Sequence, residues 1–120
     1  MEKFGVFWNR YDRKFQIEIG QLLYNENNWF FMYDQEGIEI ATQLGFQPFT
    51  EFSEIQKVYT SNKLFTTFEG RISDNLTRQT PLKNEEDKIK KIYENNAIIE
   101  TDNISLEPKE KGKQYAKKRH

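Results

Sequence analysis

The side chains able to do chemistry are few in this chain, and their spacing suits little of it. The one histidine is His120, the last of the 120 residues, and there is no cysteine. That inventory argues against a histidine base, a Ser-His-Asp arrangement, His-based or cysteine-ligated metal, thiol nucleophiles and disulfides. Carboxylates occur close together at Glu36 and Glu39, at Glu51 and Glu54, and from Glu85 to Asp87. Such pairs serve acid–base catalysis only where their surroundings push the two pKa values apart. Nothing in the neighbouring residues does so, and solvated faces or helix caps account for them. Asp102 and Asn103 beside Thr101 offer oxygen ligands, but the three read as a turn. The six glycines, Gly5, Gly20, Gly37, Gly45, Gly70 and Gly112, are dispersed, so no glycine-rich loop is formed to hold phosphate. The expectation is a protein that is not an enzyme and takes no cofactor, metal or small-molecule substrate.

Nucleic-acid binding is the alternative chemistry, because aromatic rings stack on bases and cations track phosphates. The charge is divided against it. Residues 1–78 hold 11 acidic and 8 basic side chains, 79–108 hold 7 and 4, and 109–120 hold 1 and 6. The aromatic part therefore supplies no cationic field. The basic tail, with Lys113, Lys117, Lys118 and Arg119, is where a nucleic-acid contact would have to lie. Its sequence, KEKGKQYAKKRH, has one apolar ring and no periodicity, so it is expected to be mobile in the isolated protein.

A chain of this length has room for one domain, burying roughly 65% of its unfolded surface. All ten phenylalanines and both tryptophans lie at or before Phe68, which places the core in residues 1–78. Residues 79–108 then form a C-terminal extension of a helix and short strand, and 109–120 a basic disordered tail. No apolar run approaches the ~20 residues of a membrane span, and Met1 to Trp8 is unlike a signal peptide. A soluble, cytoplasmic protein is expected.

The elements follow from periodicity. KFGVFW and KFQIEIG read as strands of a hairpin through the turn NRYDR, since Phe15, Ile17 and Ile19 alternate with Gln16 and Glu18. NENN marks the next turn. WFFMY is apolar on both faces, with Trp29, Phe31 and Tyr33 on one and Phe30 and Met32 on the other, which predicts a strand covered on both sides. Asp34 caps a helix from Gln35 to Leu44 whose buried face is Gly37, Ile40, Ala41 and Leu44, with Gly45 as its stop. FQPFTEF reads as a loop pinning Phe46, Phe49 and Phe52 to the sheet. In YTSNKLFTTFEGRIS, Ser61 is the expected cap of a helix from Asn62 that buries Leu64, Phe65, Phe68 and Ile72 and leaves Arg71 at the margin. A further helix runs from Asn84 to Asn95 with a thin stripe of Ile89, Ile92 and Tyr93, and AIIETDNISLEP adds one or two short strands. The fold class is α+β, a small antiparallel sheet packed with two or three short helices.

The run from Trp29 to Arg71 carries a more specific pattern. A strand ends in Tyr33; Gly37 and Ala41 are spaced four apart on a helix closing with Gly45-Phe46. Pro48 and Phe52 follow in a loop, then Tyr59, Ser61, Leu64, Phe65, Phe68 and Arg71. This resembles the small N-terminal subdomain of HipA-family kinases, especially the version that precedes HIRAN domains. The likeness is strong over about 45 residues and looser over the opening hairpin. ETDNISLEP resembles the segment leading into a HIRAN domain, which is not among these residues. Thr66 and Ser53 stand where the family commonly has proline, and no kinase body is present. The resemblance implies a non-catalytic binding module. In split systems a free-standing protein of this size acts as the antitoxin of a HipA-like kinase. The expected partner-binding residues are Phe49, Glu51 and Glu54 in the loop and Arg71 and Asp74 on the ridge beside it. Two other readings stand beside this one: a nucleic-acid-associated relative of HIRAN-linked proteins, and an inhibitor protein of a mobile element.

Overall fold

The computed structural model describes residues 1–9, 16–74, 85–95 and 103–110, with residues 71–74, 94, 95 and 110 described by backbone only. The strands are β1 (Glu2–Asn9), β2 (Gln16–Asn25), β3 (Asn28–Tyr33), β4 (Tyr59–Ser61) and β5 (Ile104–Glu110). The helices are α1 (Gln35–Gln43), α2 (Thr66–Asp74) and α3 (Glu85–Asn95), with a 3-10 turn at Thr50–Phe52. All strands join one antiparallel sheet in the order β4-β3-β2-β1-β5. The architecture is the α+β one the periodicities predict. The turn NRYDR beyond Asn9, residue Asn84 and the tail with Lys113, Lys117, Lys118 and Arg119 lie outside the described residues.

The β2–β3 hairpin closes through Glu26 and Asn27, whose φ angles of 51° and 69° give the left-handed two-residue turn that matches strand twist. Across β1, Val6 faces Gly20 but Phe7 faces Glu18, so Ile19 is an extra residue in β2. This bulge shifts the strand's phase by one residue. Ile17 and Ile19 point to the core before it, and Leu22 and Tyr24 after it. The other face of the sheet carries Phe7, Leu23, Phe30 and Met32, each half-buried. The strand β3 is thus sealed on the Trp29, Phe31, Tyr33 side and only partly covered on the other, where the sequence predicts full cover on both.

Where β3 ends, α1 takes over the edge of β2. The Asp34 amide donates to Ile19 O at 2.8 Å, and Asp34 Oδ2 accepts from the Gly37 amide at 2.7 Å, which caps the helix as expected. A Cβ on Gly37 would sit 1.8 Å from Glu18 O, so only glycine allows this approach. At the other end the Gly45 and Phe46 amides donate to Thr42 O and Ala41 O, with Gly45 at φ 112°. The buried face is Gly37, Ile38 and Ala41. Ile40, predicted to be inside, is 44% exposed. The helix meets the sheet near Glu18, and that contact rotates its stripe away from the helical-wheel average.

Around Phe52 the core is aromatic. Its ring stacks on Phe31 at 4.3 Å and meets Phe65 edge-on at 5.0 Å, with Phe68 at 5.9 Å. The helix bearing Phe68 begins at Thr66, four residues later than predicted. Ser61 closes β4 and its Oγ accepts from the Lys63 amide, while Leu64 and Phe65 are buried ahead of the helix. The core also runs straight through the expected boundary at residue 78: Ile89, Ile92, Ile104 and Leu106 are buried in the same cluster as Phe4, Val6 and Ile19. β5 pairs with β1 as far as Glu110, two residues into the segment read as tail. The aromatic count located the large side chains but not the isoleucines that complete the core.

Candidate functional site

Among the described residues, two polar networks tie a loop and a helix to the sheet. The first fixes the loop between α1 and β4. The Tyr33 hydroxyl accepts from the Phe49 amide at 3.0 Å and donates to Phe52 O at 2.7 Å, so one buried oxygen ties both ends of the 3-10 turn. Burial pushes this phenol up to about 12; the Phe49 amide offsets part of that and the nearby Tyr59 adds to it. Tyr59 repeats the device from β4, accepting from the Glu54 amide at 2.8 Å and donating to Glu54 O at 3.2 Å. From α1, Gln35 Nε2 donates to Ile55 O at 3.2 Å. Finally Glu51 Oε1 accepts both the amide (2.8 Å) and the hydroxyl (2.6 Å) of Thr67, capping the first turn of α2 from outside the helix.

The second construction fastens α3. Glu85, its first residue, accepts the Trp29 indole N–H at 2.8 Å and the Leu64 amide at 2.9 Å on Oε1, and pairs through Oε2 with Lys88 at 3.0 Å. Lys88, only 6% exposed, reaches on to Glu69 of α2 at 2.9 Å. Burial alone would raise the Glu85 carboxyl, but hydrogen bonds from Leu64, Lys88 and Trp29 and the Lys88 charge outweigh it and hold it below the usual range. Burial likewise works against charge on Lys88, and hydrogen bonds to Glu69 and Glu85 reverse it, so its ammonium is held above the ordinary value. Both groups stay ionised near neutrality, which is the state of a structural ion pair rather than of an acid–base couple.

The predicted partner-binding residues separate on this geometry. Phe49 is half-buried, edge-on to Phe46, Phe52 and Phe68 at 5.5, 6.1 and 6.0 Å. It packs against the core's edge, because the 3-10 turn folds its ring inward. Glu51 lies at the surface, but its carboxylate is taken up by Thr67. Glu54 is exposed beside a shallow depression lined by Glu54, Ile55, Gln56 and Lys57, with Lys57 Nζ 5.1 Å over the Tyr59 ring. Arg71 and Asp74 fall on α2, where only the backbone is described. The loop's outward residues Gln47, Thr50 and Ser53 were not singled out by the sequence, which gives polar loop residues no mark of their own. Lys88 follows the acidic first turn of α3 and is buried. Its i,i+3 spacing from Glu85 is visible in the sequence, but Trp29, 56 residues away, is not.

Among the described residues no group of three or more His, Cys, Asp or Glu is placed to hold a metal ion, and no helix is long and apolar enough to cross a membrane. Compared with known proteins, the chain matches no protein-family model, no curated protein and no solved structure.

Proposed function

We propose that this protein is a non-catalytic binding module, a regulatory or antitoxin-type partner of a HipA-like kinase, acting in the cytoplasm. The observation that carries the reading is the clamped loop. Side chains from β3, α1, β4 and α2 are all spent on fixing Phe49–Ile55 in one shape, while Gln47, Thr50, Ser53 and Glu54 face solvent. A loop held rigid from beneath loses little entropy when it docks, which is what a recognition surface requires. The run that resembles the HipA subdomain is also the run that builds this unit, with Tyr33, Gly37, Ala41, Phe52, Leu64, Phe65 and Phe68 all buried within it.

The experiment is a tagged pull-down from the native host at low and moderate salt with nuclease treatment. A stoichiometric kinase-like protein that survives nuclease supports the reading. Nucleic acid that leaves with salt, and is no longer bound once residues 109–120 are removed, replaces it with the nucleic-acid alternative.

A further inference from the structure

We infer that the open edge of β4 docks an extended peptide with carboxylates at its ends, taken up as an antiparallel sixth strand of the sheet. The inference rests on the reading of this chain as a binding module, though not on the partner being a kinase, and adds how the partner is held. The outer strands of the sheet are β4 and β5. Ser105 and Leu106 of β5 are fully buried, backbone included, so that edge is closed to a further strand. Thr60 of β4 is exposed, and the strand register fixes where its backbone groups point. Asn25 and Asn28 close the two-residue turn between β2 and β3 and so exchange hydrogen bonds, and alternation gives the next exchange to Leu23 and Phe30. The bond from the Asp34 amide to Ile19 O, flanking the Gly20 and Tyr33 pair, has the same phase. Phe30 therefore spends its N–H and C=O on β2. Thr60, opposite Phe30, turns both of its own away from the sheet, and among the described residues nothing answers them.

Backbone, side chains and charge together set what this edge accepts. An unpaired N–H and C=O on one extended residue match the backbone of another strand. Val58, two residues earlier and 52% exposed, offers an apolar neighbour to that strand's side chains. Residues 56–63 contain Lys57 and Lys63 and no acid, and among the described residues neither lysine has a carboxylate partner. Short edges flanked by lysine resist pairing with copies of themselves. Setting Thr60 against its own copy would face Lys57 with Lys63 at both ends, whereas a strand ending in carboxylates meets both lysines favourably. The edge is also held in shape before it is used, by the Tyr59 hydroxyl on the Glu54 backbone and by Ser61 Oγ on the Lys63 amide.

The probe is the blocked heptapeptide Glu-Val-Thr-Val-Thr-Val-Glu, long enough to span Lys57 to Lys63. It is titrated to millimolar concentration into the full-length chain, with backbone amide shifts followed by two-dimensional NMR. Saturable shifts centred on the Thr60 amide are expected. The same peptide with lysine ends should bind roughly threefold to tenfold more weakly, and the gap should close as salt rises. Thr60→Pro removes an N–H that faces solvent, which an edge strand tolerates, so the variant should melt close to wild type and lose the peptide. The peptide N-methylated at its central valine tests the same hydrogen bonds on the unaltered chain, and its binding should fall. The inference is overturned by no saturable shift at Thr60, by a lysine-ended peptide that binds as well, or by undiminished binding of the N-methylated peptide or of folded Thr60→Pro. Concentration-dependent shifts at Thr60 without peptide would seat a second copy on the edge and overturn it too. An edge that takes the peptide in a chain that recovers no kinase from its host keeps this inference and removes the kinase from the reading beneath it.

Discussion

Replacing Glu85 with alanine tests how far its carboxylate fastens α3 to the sheet. The substitution leaves the Trp29 indole N–H and the Leu64 amide without their acceptor and removes one of the two carboxylates that neutralise Lys88. Each unanswered part-buried donor costs about 1–1.5 kcal/mol and the weakened lysine pairing about 1 more, for a total of about 3–4 kcal/mol. Domains of this size have about 5–15 kcal/mol in all, so the loss is large. Glu85→Gln separates the parts. Its amide oxygen still serves Trp29 and Leu64 and only the charge facing Lys88 is lost, for about 1–1.5 kcal/mol. Urea unfolding followed by tryptophan fluorescence at pH 7 measures both. An alanine variant within ~1 kcal/mol of wild type, or one no worse than glutamine, refutes the account of Glu85 as the fastening group. The pH dependence carries the same signature. A carboxyl held low in the folded chain stabilises fully above its unfolded pKa, and that contribution is lost as pH falls through the lower folded value. Acid unfolding of Glu85→Gln should lack this component.

Gly37→Ala should destabilise by about 3 kcal/mol or more, because the added carbon meets the Glu18 carbonyl at 1.8 Å and neither backbone can yield; thermal melts decide it, and a melting temperature near wild type would contradict the packing of α1. Gly70 lies inside α2 with open space around it, so Gly70→Ala should stabilise by about 0.5–1 kcal/mol in the same assay. Ultraviolet titration of the phenols should show a late-ionising group with a midpoint at about 12 that is absent from Tyr33→Phe. Because that phenol is raised in the folded chain, its contribution to stability is full below the unfolded pKa and fades as pH climbs through the folded value.

What the sequence by itself determined is local. Alternation at Ile17 and Ile19 and the β-rich WFFMY run specify strands, Asp34 and Gly45 bracket α1, and the stripe Ile89, Ile92, Tyr93 turns α3 inward, because each signal is complete within a few residues. The signals misled where a distant contact had the last word. Ser61 has the chemistry of a cap, yet the start of α2 is capped by Glu51, a residue made available by the folding of the preceding loop. Ile40 sits on the better helical wheel, yet the approach of Gly37 to Glu18 turns Ile38 inward instead. Phe49, expected both to pin the loop to the sheet and to meet a partner, packs at the edge of the aromatic core. Only the tertiary structure brings β5 beside β1, joins Trp29 to Glu85, and aims two tyrosine hydroxyls at one loop's backbone. Hydrogen-bond geometry between residues far apart in sequence leaves no periodic trace along the chain, and the candidate recognition surface depends on that geometry.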